Sequence, residues 1–134
     1  MASQSPDSGP LVLVVEDNPT NMMLTRAVLR RAGYQTAEAT SADEALERLR
    51  TVRPEIILMD VQLPGQDGLS LTRQLKANPA TANIRIIALT AHAMKEDRTR
   101  IIGAGCDGYI PKPINTRTFA SDLAAALEQT STVV

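Results

Sequence analysis

Apolar residues fall along this chain in two alternating patterns: short continuous runs, and stretches in which they return every three or four positions. Leu11-Val12-Leu13-Val14-Val15 is the first run, without a polar break. Such a run suits a strand buried on both faces, and therefore a parallel sheet covered by helices. Asn18 and Pro19 then supply an N-cap and a proline at the first helical position, and Arg30-Arg31 before Gly33 supplies a basic last turn with a left-handed stop. These signals predict a helix over about Pro19 to Ala32. Gln35 to Ala39 can form a short strand. Ser41 and Glu44 make a capping box ahead of Ala42, Ala45, Leu46 and Leu49 on one helical face.

The alternation continues to the end. Glu55 to Asp60 is a second buried strand, and Gly68 to Lys76 carries Leu71 and Leu75 one turn apart before Asn78-Pro79 breaks the helix. Ile84 to Leu89 is a fourth strand ending at Thr90. Lys95 to Ile102 is the weakest helix, with Ile101 and Ile102 as its main apolar residues. Asp107 to Ile110 reads as a short fifth strand, and Asn115 as the cap of a last helix with Phe119, Leu123 and Leu127 on one face. Five strands alternating with five helices imply an α/β fold, a doubly wound parallel (βα)5 sheet, because parallel neighbours need crossovers and helices provide them.

Composition narrows the class. A chain of 134 residues holds one domain, expected at 11–128, after a polar, flexible lead-in at 1–10 and before a short tail at 129–134. The net charge of −1 offers no surface that seeks a polyphosphate backbone, so nucleic acid is not an expected partner. No apolar run approaches the ~18 residues needed to span a bilayer, and the N-terminus lacks a secretory signal, so a cytoplasmic protein away from the membrane is expected. The lone Cys106 cannot form an internal disulfide and reads as a small buried hydrophobe.

In open parallel sheets ligand chemistry gathers beyond the carboxyl ends of the strands. Those ends hold Glu16 and Asp17, Asp60, Thr90 and Lys112: three acids, a hydroxyl and an amine. Each has an ordinary reading alone. The acids suit a helix N-terminus, Thr90 a strand end, and Lys112 a solvated face. Together, three carboxylates repel unless a cation is held among them, and hard oxygen donors fit Mg²⁺ or Mn²⁺, with no His or Cys cluster competing for a softer metal. With such a metal a carboxylate can attack phosphorus in line while an ammonium and a hydroxyl meet the phosphoryl oxygens, roles that suit Asp60, Lys112 and Thr90.

From Leu11 to Leu127 the sequence resembles the CheY-like response-regulator receiver family. The resemblance is carried by Val15-Glu16-Asp17-Asn18, Leu58-Met59-Asp60, Leu63-Pro64-Gly65, Asp67-Gly68, Leu89-Thr90-Ala91 and Gly108-Tyr109-Ile110 before Lys112-Pro113. The whole-chain pattern, pairing Val15-Glu16-Asp17-Asn18 with Thr90-Ala91-His92-Ala93-Met94-Lys95, is especially similar to stand-alone regulators of the DivK kind, although receiver modules of hybrid histidine kinases share nearly the same segments. The resemblance implies the flavodoxin-like strand order 2-1-3-4-5. It also implies that Glu16 and Asp17 bind the metal with the Gln62 carbonyl, that Asp60 accepts the phosphoryl group, and that Thr90 and Tyr109 form a conformational switch. Lys112-Pro113 corresponds to the family's cis peptide bond. The implied partners are a histidine kinase or histidine phosphotransfer protein, and a downstream protein docking on the face of helix four, strand five and helix five.

Gln62 and His92 lie two residues beyond Asp60 and Thr90, flanking the path of the water that removes a phosphoryl group, and are expected to set phosphate lifetime. His92 also reads as an ordinary loop residue, and Tyr109 as ordinary packing. Three other classes are weighed. A phosphohydrolase would need a general acid where Gln62 stands. A flavin or nucleotide binder would need a Gly-rich cradle where Glu16-Asp17-Asn18-Pro19 stands. A phosphorylation-independent interaction module would not need the five-residue set. The expected protein is therefore not a turnover enzyme but a regulator that catalyses its own phosphorylation and dephosphorylation, either stand-alone or cut from a hybrid histidine kinase.

Overall fold

A computed structural model of the chain describes residues 9–63, 67–91 and 95–131. The strands are β1 (Leu11–Val15), β2 (Gln35–Ala39), β3 (Ile56–Asp60), β4 (Arg85–Thr90) and β5 (Gly108–Pro111). The helices that alternate with them are α1 (Pro19–Arg31), α2 (Ala42–Arg48), α3 (Gly68–Ala77), α4 (Lys95–Gly103) and α5 (Phe119–Ser131). All strand pairs are parallel, in the order β2-β1-β3-β4-β5. No helix among the described residues is long and apolar enough to cross a membrane.

The continuous apolar runs are explained by two cores, one on each face of the sheet. Leu13, Val15, Ile57, Met59, Ile86 and Ala88 pack with Ala45, Leu71, Leu75 and Ile101 of α2, α3 and α4. The alternate residues Val12, Val14, Leu58, Ile87 and Leu89 pack with Leu29 of α1 and with Phe119 and Leu123 of α5. Each fully buried aliphatic side chain contributes about 1.5–3 kcal/mol, well above the roughly 0–1 kcal/mol of an exposed ion pair such as Arg50–Glu47. Residue alternation in β1, β3 and β4 therefore dominates the fold.

The helix ends follow local chemistry. Asn18 accepts from Asn21 N, Ser41 from Glu44 N and Asp67 from Ser70 N, capping α1, α2 and α3. Gly33, just past α1, has φ of +98°, the left-handed region where glycine carries no penalty.

The last helix departs from expectation. Asn115 Oδ1 accepts from Arg117 N and so caps a turn, while α5 starts only at Phe119, after Thr118, whose hydroxyl donates to Asp122. A short Asx turn competes successfully with helix capping there. Helix α5 runs through Ser131, into the segment expected to be tail. At the other end, the Gly9 carbonyl accepts from the Gln35 side chain and the Pro10 carbonyl from Gln35 N, so the end of the expected lead-in is tied to β2. In α4 only Ile101 is buried, and Ile102 is 51% exposed.

Candidate functional site

Register brings the strand-end residues level. Val15 pairs with Met59, so Glu16 stands beside Asp60; Asp60 itself pairs with Leu89, and Thr90 with Pro111, just before Lys112. The carboxyl ends of β1, β3 and β5 thus open on one cleft of about 540 Å³, lined by Glu16, Asp17, Asp60, Gln62 and Lys112, while Thr90 at the end of β4 lines an adjoining pocket with Gln62 and Leu63. Asp60 is 3% exposed, Glu16 1% and Thr90 4%, whereas Asp17 is exposed. Two acids are therefore held in a low-dielectric setting, and the third faces the solvent.

Every contact of Asp60 is directional. Its Oδ1 accepts from Gln62 N at 3.0 Å and its Oδ2 from Lys112 Nζ at 3.1 Å. Lys112 Nζ also stands 3.4 Å from Glu16 Oε1. The Lys112–Pro113 peptide is cis, and Lys112 N donates to the Thr90 carbonyl at 2.7 Å, joining the ends of β4 and β5. Glu16 Oε2 accepts from Asn18 N at 3.2 Å. Glu16 Oε1 is buried and has no hydrogen-bond partner.

The electrostatics follow from this crowding. Burial, together with the adjacent, negatively charged carboxyl of Asp60, holds the Glu16 carboxyl above its ordinary range, against the opposing pull of Asn18 N and Lys112. Burial pulls the Lys112 ammonium down, but Asp60 and Glu16 outweigh it and its pKa is raised. One ammonium serves two buried carboxylates.

One ligand atom each from Glu16, Asp17 and Asp60 lies within 4.8 Å of the others, and no second such group exists among the described residues. An orphaned buried carboxylate oxygen beside two further carboxylates is the donor chemistry of a hard dication, so the residues present fit Mg²⁺ or Mn²⁺. The Gln62 side chain is exposed at the rim of the same cleft.

Tyr109 is half-buried on β5, level with Ala88, two residues before Thr90. Arg98 Nη1 of α4 donates to its hydroxyl at 3.5 Å. His92 lies outside the described residues, as do Pro64 and Gly65. Two participants were not singled out from sequence: the backbone N–H of Asn18, which holds Glu16, and Arg98, which reaches Tyr109. Asn18 is also the N-cap of α1, two residues after Glu16. Arg98 had no signal, because it is one of many charges in a charged helix.

Comparison with known proteins agrees with this geometry. The family described as response regulator receiver domain matches residues 12–124. The chain is 43% identical over 116 residues to the polar-differentiation response regulator DivK of Brucella anthropi, covering 87% of this chain and 94% of that one. Among solved structures it is similar to the receiver domain of a sensor histidine kinase from Pseudomonas aeruginosa, which has a magnesium ion coordinated in its active-site cleft. That similarity is 35% identity with a TM-score of 0.79, over 90% of this chain and 99% of that one. It also resembles a chemotaxis response regulator of Vibrio cholerae, CheY4, with 26% identity and a TM-score of 0.82 over 90% and 100% of the two chains.

Proposed function

Because this chain belongs to the response regulator receiver domain family, we propose that it acts in a two-component phosphorelay by taking a phosphoryl group onto Asp60 from the phosphohistidine of a sensor kinase or a histidine phosphotransfer protein. The observation that carries this reading is the buried Asp60 carboxylate, held at one oxygen by Gln62 N and at the other by Lys112, inside the one cluster of acids among the described residues able to hold a metal.

In the transfer, an Asp60 oxygen attacks phosphorus, a P–O bond forms, and the P–N bond to the donor imidazole breaks, the imidazole leaving with its electron pair. Lys112 neutralises charge on the phosphoryl oxygens, and the Thr90 hydroxyl donates to one of them. Glu16, Asp17, Asp60 and the Gln62 carbonyl would hold Mg²⁺, which supplies charge neutralisation at the transferring group. The chain carries out its own modification and does not turn over a separate substrate. The donors and the downstream targets of this reading are cytoplasmic proteins.

The consequence is a shift between two packings. A phosphorylated Asp60 draws Thr90 toward the phosphate and makes room for Tyr109 to rotate inward, which alters the face of α4, β5 and α5 offered to a downstream protein. Only Ile101 anchors α4 in the core, which makes this helix the inexpensive element to reposition. Gln62 and His92 flank the approach of water, so substitutions there change the lifetime of the phosphoryl group more than its yield. Unchanged decay in both variants would count against that assignment.

Incubation with acetyl phosphate and Mg²⁺, followed by intact mass measurement, tests the first step. The chain gains one phosphoryl group; an Asp60→Asn variant that gains it as readily overturns the proposal.

A further inference from the structure

Gly68 opens α3 at a point where the helix has no room for a side chain. A Cβ built there would lie 2.2 Å from the carbonyl oxygen of Asp60, 3.0 Å from its carbonyl carbon and 2.9 Å from Met59 Cγ. Alanine is the better helix former, so glycine at the first position of a capped helix is explained by space rather than propensity. The Met59 contact is with a flexible side chain and can relax. The Asp60 contact is with the backbone of a buried strand end, and cannot relax without moving Asp60.

The surrounding hydrogen bonds tie that contact to the acceptor carboxylate. Val61 N donates to Leu89 O at 3.1 Å, Gly68 N to Val61 O at 2.9 Å, and Gln62 N to Asp60 Oδ1 at 3.0 Å. The N-terminus of α3, Val61 and Gln62 after β3, and the Asp60 side chain are therefore linked to one another. Glu16 and Lys112, which face the same carboxylate, come from the ends of β1 and β5 and are not part of it. Lifting α3 would carry Gln62 N away from Oδ1; pushing the Asp60 peptide would move the carboxylate relative to Lys112. Either relaxation changes the geometry at the reacting oxygen.

We propose that Gly68 is a positioning residue for phosphoryl transfer: its missing side chain lets α3 seat directly on the Asp60 peptide and thereby sets where the acceptor carboxylate stands between Gln62 N and Lys112. This rests on the reading of Asp60 as the acceptor.

The test compares Gly68→Ala, the double variant Gly68→Ala with Met59→Ala, and Gly103→Ala with the unaltered chain. A Cβ at Gly103 of α4 meets nothing within 4 Å, so that variant controls for a helical Gly-to-Ala change. Phosphorylation by acetyl phosphate is followed at saturating Mg²⁺, at a temperature where circular dichroism shows each variant folded. Displacing the acceptor by a fraction of an ångström should lower the maximal rate at least about 10-fold in Gly68→Ala, with the half-saturating acetyl phosphate concentration unchanged. Gly103→Ala should keep the unaltered rate, and truncating Met59 should not rescue Gly68→Ala.

A folded Gly68→Ala with an unaltered maximal rate overturns the proposal, as does rescue by Met59→Ala or an equal loss in Gly103→Ala. Failure of both Gly68 variants to fold assigns the glycine to stability alone and overturns it too. Absence of phosphoryl mass on the unaltered chain overturns instead the reading of Asp60.

Discussion

The ammonium of Lys112 donates a 3.1 Å hydrogen bond to Oδ2 of Asp60, a residue 52 positions earlier in the chain. The same nitrogen is the nearest positive charge to the orphaned oxygen of Glu16, 3.4 Å away. Lys112 is therefore the internal counter-ion of the two buried carboxylates.

Removing it should leave two buried carboxylates uncompensated. Lys112→Ala is expected to lower stability without metal by about 2–4 kcal/mol, toward the low end because the lysine side chain is partly exposed. Urea unfolding in EDTA measures the loss. Added Mg²⁺ should recover more stability in the variant than in the unaltered protein, since it restores positive charge where the ammonium was. Equal recovery would show that the two cations do not compete for the same carboxylates.

The raised pKa of Glu16 predicts a pH dependence with a definite sign. Its ordinary value is 4.5, and burial and Asp60 raise it in the folded state. On raising the pH the unfolded chain loses this proton first, so the contribution to stability is complete below 4.5 and is lost as pH climbs through the higher folded value. Metal-free stability should thus decline as pH rises above 4.5, and Glu16→Gln should flatten that part of the profile. Lys112, raised above 10.5, contributes up to that pH and loses its contribution above it. Urea midpoints in EDTA, taken as the difference between the two proteins, test the Glu16 assignment.

Metal binding should appear as stabilisation. At Mg²⁺ concentrations of about 100 times Kd the folded state gains about 2.7 kcal/mol, seen as a rise in Tm by calorimetry. Asp17→Asn should abolish most of that rise with little effect on the metal-free Tm, because Asp17 is exposed. A full Mg²⁺ response in Asp17→Asn would remove that residue from the ligand set.

At the opposite end of the sheet, Lys76 Nζ donates to the carbonyls of Ala82 and Ile84 and to Asp107 Oδ2, which also accepts from Ile86 N. Asp107→Ala should destabilise the protein by about 2–4 kcal/mol, by leaving a mostly buried ammonium and a backbone N–H without their acceptor. The rate of phosphorylation below Tm should not change. A slower rate in folded protein would mean that this knot communicates with the site.

Cys106 is 5% exposed, and burial pushes its thiol up to about 11. A chromogenic disulfide reagent at pH 7 should leave it unmodified in the folded protein and label one thiol per chain after unfolding. Fast labelling under native conditions would contradict its burial.

Much of the fold was legible because its signals are local. The runs at Leu11–Val15 and Ile56–Asp60, the caps at Asn18 and Ser41 and the stop at Gly33 each depend on a few adjacent residues. The start of α5 was less legible, since Asn115 can cap a helix or close an Asx turn, and only the structure shows that it does the second. Ile101 and Ile102 were equivalent in sequence. Only the packing of α4 against the sheet buries the first and exposes the second.

For the site, the residue types at the strand ends were readable one by one, because a parallel sheet places its chemistry there whatever the details. By itself, then, the sequence determined the alternation of elements, the two-sided burial of the strands and the identity of the acids, hydroxyl and amine at their ends, all of which rest on period and residue chemistry. Tertiary structure alone decided that Asp60 shares its oxygens between Gln62 N and Lys112, that Glu16 is buried with an orphaned oxygen while its neighbour Asp17 faces solvent, and that α3 sits on the Asp60 peptide through Gly68. Those relations depend on strand register and on distances of a few tenths of an ångström between segments far apart in the chain, and no local pattern encodes them.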